Sequence, residues 1–191
     1  AYVERLVLPT VVEPQRADWA NAQAAALLLV HEAEAFSTKK DAKKRDAKMA
    51  EARAEIRRFH HQLCSTRVLD PACGSGNFLY VTLEHLKRLE GEVLNQLEAL
   101  GETQDKLSLD GETVTLQQLR GIELSGRASA LAERVLWIGG LQWHLRTKGP
   151  GSVAEPVVHD YRNIECRDAV LAYDRSELAV DEHGKVITRW D

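Results

Sequence analysis

Cysteine is scarce and badly placed for cross-linking. The 191-residue chain has three, at positions 64, 73 and 166. An odd number at wide spacing fits neither a disulfide framework nor a cysteine-based zinc site. The default expectation is a reducing cytoplasm, with Cys64 and Cys166 as small core or near-core residues. Long apolar runs are also missing. No stretch approaches the roughly 20 apolar residues of a membrane span, so no membrane partner is expected. The start, Ala1-Tyr2-Val3-Glu4-Arg5, lacks the basic and apolar regions of a signal peptide. It also lacks an initiator methionine, and the chain is expected to be cut from a longer protein. A basic surplus is absent too: the net charge is −4, which argues against this segment as the main surface gripping nucleic acid. What remains is about one domain's worth of chain, enough for one core.

The most informative stretch is Val68-Leu69-Asp70-Pro71-Ala72-Cys73-Gly74-Ser75-Gly76-Asn77-Phe78-Leu79. It reads as the end of a buried strand, a turn through two glycines, and the opening of a helix. In an open α/β sheet, that order places a ligand crevice beyond the strand's carboxyl end, against a helix N-terminus. Leu79 stands where a dinucleotide fold needs its third glycine, so pyrophosphate is not the natural ligand. Asp70 at the strand end repels phosphate and favours an ammonium group. A ligand carrying ammonium and carboxylate together fits, with Asp70 facing the cation and the Gly74–Gly76 amides facing the anion. S-adenosyl-L-methionine has such an amino-acid end. The bland alternative is a structural turn that binds nothing.

A second acid lies in Leu119-Arg120-Gly121-Ile122-Glu123, which reads as a strand ending in a carboxylate. Such an acid can accept hydrogen bonds from both hydroxyls of a ribose. A third acid, Asp168, follows Asn163-Ile164-Glu165-Cys166-Arg167 and precedes Ala169.

The twelve residues from Val68 resemble the first motif of class I S-adenosylmethionine-dependent methyltransferases. Asp70 to Phe78 looks more narrowly like the form in adenine-N6 DNA methyltransferases. The resemblance implies cofactor contacts from Asp70, Pro71, Ala72, Cys73, Gly74, Ser75, Gly76, Asn77 and Phe78. It also implies a ribose contact from Glu123, beside Leu124, and an adenine contact from Asp168, beside Ala169. The order of elements resembles the large bacterial single-chain methylases of restriction–modification and phage-defence systems. That family's base-side motif, an Asp or Asn followed by Pro-Pro and an aromatic, does not occur, because the chain contains no Pro-Pro. The resemblance therefore implies a fragment holding most cofactor contacts and no catalytic ones. It is expected to be inactive alone and to meet DNA through parts of the parent outside it. No metal is called for. The alternatives are a protein-glutamine or RNA methyltransferase fragment, a nicotinamide oxidoreductase, and a scaffold that binds nothing.

The rest of the chain supplies the frame. The expected fold class is α/β, a partial Rossmann-like methyltransferase sheet (63–191) behind an N-terminal helical segment (1–62). A short helix over 2–8 is expected to break at Pro9, and a packing helix to run from Gln15 to about Ala35. The charge-rich 39–58 stretch reads as a solvated helix face, with Ile56 and Phe59 tucked onto the sheet. His60 and His61 are adjacent, so they do not share a helix face or a metal. A long helix follows the glycine turn from Phe78 to Leu100 and stops at Gly101. Alternation on both sides of Asp110-Gly111 reads as a hairpin over 106–116. A helix from Arg127 to about Leu145 contains Gly139-Gly140, which points to a close crossing. Trp137 and Trp143 read as core. A loop over 147–156 and a hairpin around 181–185 complete the reading.

Overall fold

The computed structural model describes residues 2–36, 41–102, 112–148, 162–171 and 180–186. Pro9 does not end the first helix. Helix α1 (Tyr2–Val7) passes through a wide π-helical turn (Leu8–Val12) straight into α2 (Glu13–Glu34). Proline lacks an N–H and its ring crowds the carbonyl four residues back. The wider turn makes room for it, and Thr10 Oγ1 donates to the Leu6 carbonyl at 2.5 Å.

Helix α3 (Ala42–Ser65) runs antiparallel to α2. Lys48 meets Glu32 at 2.9 Å near one end of the pair, and Gln62 donates to Asp18 at 2.7 Å near the other. The described part of the basic cluster is solvated and interlaced with acids: Lys44 pairs with Asp41 and Lys48 with Glu51. Phe59 packs on Trp19 of α2, with ring centroids 5.1 Å apart, so its first neighbour is the helical hairpin and not the sheet. Buried Ile56, Phe59 and Leu63 nevertheless belong to one core cluster with Leu79, Leu83, Leu86 and Leu119. The helical segment and the sheet are therefore packed around a common core.

Strands β1 (Val68–Asp70), β2 (Leu119–Glu123) and β3 (Ile164–Cys166) form a parallel sheet in that order. Val68 pairs with Leu119, and Gly121 with Ile164. The crossovers carry α4 (Asn77–Ala99) and α5 (Gly126–Lys148). Gly101, at φ +82°, ends α4: its N–H donates to the Glu98 carbonyl, and the Glu102 N–H reaches back to Leu97. The two helices cross closely. A Cβ at Gly139 would lie 2.8 Å from the Tyr80 ring of α4, and one at Gly140 would lie 3.0 Å from Leu116. This is the close crossing that the paired glycines implied. Trp143 packs against the core, while Trp137 is half-buried.

Buried Gln118 fastens the start of β2. Its Nε2 donates to the Leu63 and Thr66 carbonyls, both at 2.9 Å, and its Oε1 accepts the Thr115 N–H at 2.8 Å. Thr115 caps a 3₁₀ turn (Leu116–Gln118). The expected 106–116 hairpin is therefore not seen in its described part. Residues 112–115 form no strand, and Leu116 opens the turn; the remainder of that stretch lies outside the described residues. So do most of the 147–156 loop and the arms of the last hairpin. The tip of that hairpin is present: Val180 and Val186 bridge antiparallel, and Asp181 Oδ1 accepts the His183 and Lys185 N–H groups. Cys166 is exposed, contrary to expectation, because it sits at the carboxyl end of β3 where the sheet opens.

Candidate functional site

The site grows out of the β1–α4 turn. Asp70 closes β1, and its Oδ1 accepts the Ala72 N–H at 3.1 Å. Its other oxygen, Oδ2, is buried and has no hydrogen-bond partner among the described residues. A carboxylate oxygen in that state is costly unless a donor arrives. Next, the Cys73 N–H donates to the Ile122 carbonyl at 3.0 Å, which draws the loop down onto β2. The Cys73 side chain is buried over Gly121. Burial pushes its thiol up to about 11, with the Asp70 and Glu123 carboxylates adding to the effect, so it stays neutral.

Gly74 and Gly76 both lie at positive φ, +54° and +82°, a region that L side chains adopt only under strain. Apart from its two chain neighbours, no heavy atom of the described residues lies within 4 Å of where a Gly74 Cβ would stand, whereas a Gly76 Cβ would meet Ala132 of α5 at 3.2 Å. One glycine therefore leaves open room and the other lets two helices close up. The Gly74 N–H donates to Glu123 Oε2 at 2.9 Å and the Gly76 N–H to the Cys73 carbonyl at 2.8 Å. This corrects the expectation that these amides face an anion, since both are spent within the fold. The first turn of α4 beyond them has no side-chain cap, and its N–H groups are the ones suited to an anion.

Glu123 closes β2 and grips in two directions, to Gly74 and, through Oε1, to the Ser125 N–H at 2.8 Å. The structure thus brings Asp70, the 72–76 loop and Glu123 into one hydrogen-bonded unit. Leu124 beside it is exposed. Pro71, Ala72 and Asn77 are exposed, and Ser75 and Phe78 are half-buried. Asp168 follows β3, which is joined to β2 by the Arg167 N–H donating to the Glu123 carbonyl at 3.1 Å. Asp168 Oδ1 accepts the Leu171 and Val170 N–H groups at 2.9 and 2.8 Å. These bonds hold its carboxyl below the usual range. Ala169 is exposed beside it. Sequence reasoning missed Gly121, whose lack of a Cβ admits Cys73. The available signal was a glycine inside a strand, which marks a close approach.

This geometry can be set beside known proteins. A family model described as MmeI, DNA-methyltransferase domain, matches residues 41–184. The chain belongs to the MmeI DNA-methyltransferase domain family. Within that family setting, the domain is 36% identical over 108 residues to DNA methyltransferase A of Bacillus subtilis (strain 168), covering 54% of this chain and 12% of that protein. It is 32% identical over 155 residues to a protein of Methanocaldococcus jannaschii described as a type II restriction enzyme and methyltransferase. That match covers 80% of this chain and 12% of the relative. Among solved structures, the type IIL restriction–modification enzyme MmeI in complex with DNA matches with a TM-score of 0.54 and 22% identity. The match covers 76% of this chain and 16% of that one. The chain therefore spans a small part of its relatives, and it shares with MmeI a fold that the helix-rich, three-stranded parallel arrangement fits. The protein-glutamine and RNA readings gain nothing from these matches.

Proposed function

We propose that this methyltransferase domain is the S-adenosyl-L-methionine-binding part of an adenine-N6 DNA methyltransferase in a restriction–modification system. Its β1–β2–β3 order is read as part of a Rossmann-like sheet, in a cytoplasmic protein whose DNA contacts lie outside this chain. The observation that carries the reading is the buried Asp70 Oδ2, which has no partner among the described residues, beside a glycine loop tied to Glu123. An ammonium group is the donor that an isolated carboxylate oxygen calls for, and the open space at Gly74 leaves room for a ligand backbone.

When bound, the cofactor supplies an electrophilic sulfonium methyl. The chain's own residues hold and orient it. Asp70 takes the ammonium, and the uncapped start of α4 faces the carboxylate. Glu123, already fixed by two N–H donors, offers its remaining lone pairs to the ribose hydroxyls. Asp168 would accept from the adenine amino group, with Leu124 and Ala169 as its neighbours at the site. Phe78 and the 71–77 loop would line the cofactor. Fixed placement of this kind lowers the barrier by orientation and electrostatic support, and the target base reaches the methyl only when flipped out of its duplex.

Isothermal titration calorimetry tests the reading. Saturable binding of S-adenosyl-L-methionine and none of NAD is expected. Asp70→Asn and Glu123→Gln should each weaken binding by about tenfold or more, the scale of a lost hydrogen bond to a charged group. Asp70→Asn should leave the unliganded fold at least as stable, because the Oδ2 atom it replaces accepts no hydrogen bond among the described residues. Preference for NAD, or affinity indifferent to both substitutions, would overturn it.

A further inference from the structure

Away from the glycine turn, a second cluster of chemically capable side chains sits where α3 meets α4. His60 and Cys64 lie one helical turn apart and face the same side. Glu90 of α4 comes up against them. His60 and Glu90 are buried, and Cys64 is half-buried. One ligand atom from each lies within 4.8 Å of the others. His60 Nε2 is 3.5 Å from Cys64 Sγ and 3.5 Å from Glu90 Oε1. A single ring nitrogen carries at most one hydrogen, and 3.5 Å is long for an N–H···O bond. The same spacing suits atoms gathered around a common ion. Bonds of about 2.0–2.3 Å at tetrahedral angles set neighbouring zinc ligands about 3.3–3.8 Å apart.

We propose that His60, Cys64 and Glu90 bind one borderline-soft divalent cation of the zinc class. The donor set decides the class: sulfur with imidazole nitrogen suits zinc, whereas magnesium and calcium take oxygen ligands. Glu90 is oriented in advance. Its Oε2 accepts from Lys87 Nζ at 2.8 Å and its Oε1 from the Val114 N–H at 2.8 Å, the sort of outer contacts that fix a ligand's direction. His61 takes no part; it faces solvent and pairs with Glu112 at 2.5 Å. Water fills the fourth position. The cation would staple the helical segment to α4, the helix that begins at the glycine turn.

The test uses the whole chain, stripped with a chelator and titrated with zinc, and separately with cobalt(II) as a spectroscopic probe. Expected are one zinc per chain, a higher melting temperature with zinc, and a thiolate-to-cobalt charge-transfer band with tetrahedral visible absorption. Cys64→Ser, which keeps the size and a hydroxyl, should abolish the band and weaken zinc binding about tenfold or more. His60→Gln should do the same. Zinc that fails to bind, or binds equally in Cys64→Ser, overturns the proposal in favour of a hydrogen-bonded polar core. The cobalt spectrum of the unaltered chain decides the matter even where a variant does not fold.

Discussion

A Cβ at Gly121 would come within 2.7 Å of both Cys73 Sγ and Ile164 Cδ1. Gly121→Ala is therefore expected to destabilise the chain by about 1–3 kcal/mol, the usual cost of overpacking. Cys73→Ala in the same chain should recover part of that cost and no more, since Ile164 still crowds the site. Urea denaturation of the two single variants and the double variant measures the coupling, and strict additivity would refute the contact. The same residues show what a sequence can and cannot disclose. That Asp70 and Glu123 stand at strand ends was readable from the apolar runs before them. That Glu123 holds the Gly74 N–H was not, because the contact exists only once β1 and β2 pair in register, with Asp70 opposite Gly121. Asp168 was singled out by its motif, but its place just after β3 and its side chain's grip on the Val170 and Leu171 N–H groups are properties of the folded chain.

Replacing a helical glycine by alanine ordinarily gains about 1 kcal/mol of helix propensity. At Gly139 the added Cβ would meet the Tyr80 ring at 2.8 Å. Gly139→Ala is thus expected to give no gain, or a loss, in thermal or urea unfolding. In a Tyr80→Ala background the same substitution should stabilise. If it stabilises equally in both backgrounds, the α4–α5 crossing is looser than described. The long helices were legible because their apolar spacing is sustained and their stops are marked, as by Gly101 after α4. Two shorter features were not. Pro9 looked like a break, but the packing of the helix on both sides of it favours one wide turn over a chain reversal. The alternation before β2 looked like a strand, yet residues 112–115 form no strand and pair with none among the described residues. Their polar groups are met by side chains instead: Glu90 takes the Val114 N–H and Gln118 the Thr115 N–H. Alternation alone does not make a strand where side chains take up the backbone N–H groups.

At the scale of the whole molecule, the shared core governs what can be separated. Ile56, Phe59 and Leu63 of α3 are buried in one cluster with residues of α4 and β2, and Gln118 holds the end of α3 through two carbonyls. The 1–62 and 63–191 division drawn from composition cuts within α3, which runs to Ser65. A chain reduced to 63–191 would expose the α4 face that α3 covers and is expected to lose cooperative unfolding, as followed by circular dichroism. Cooperative melting of that piece would show two independent units. The other boundary is chemical. Strand β1 is an edge strand among the described residues, and its Leu69 is 58% exposed. Parallel strands are normally buried on both faces. The chain also spans only 12% of the proteins it resembles. On the proposed reading, cofactor binding and methyl transfer therefore separate physically. The isolated chain should bind S-adenosyl-L-methionine yet leave tritium from its labelled methyl group out of duplex DNA. A longer chain carrying a base-side Asp- or Asn-Pro-Pro-aromatic motif should transfer it, and Asp70→Asn in that longer chain should abolish the signal at low cofactor and restore part of it at high cofactor. Transfer by the isolated chain would mean that it already holds a base-side site, against the assignment of its acids to the cofactor alone.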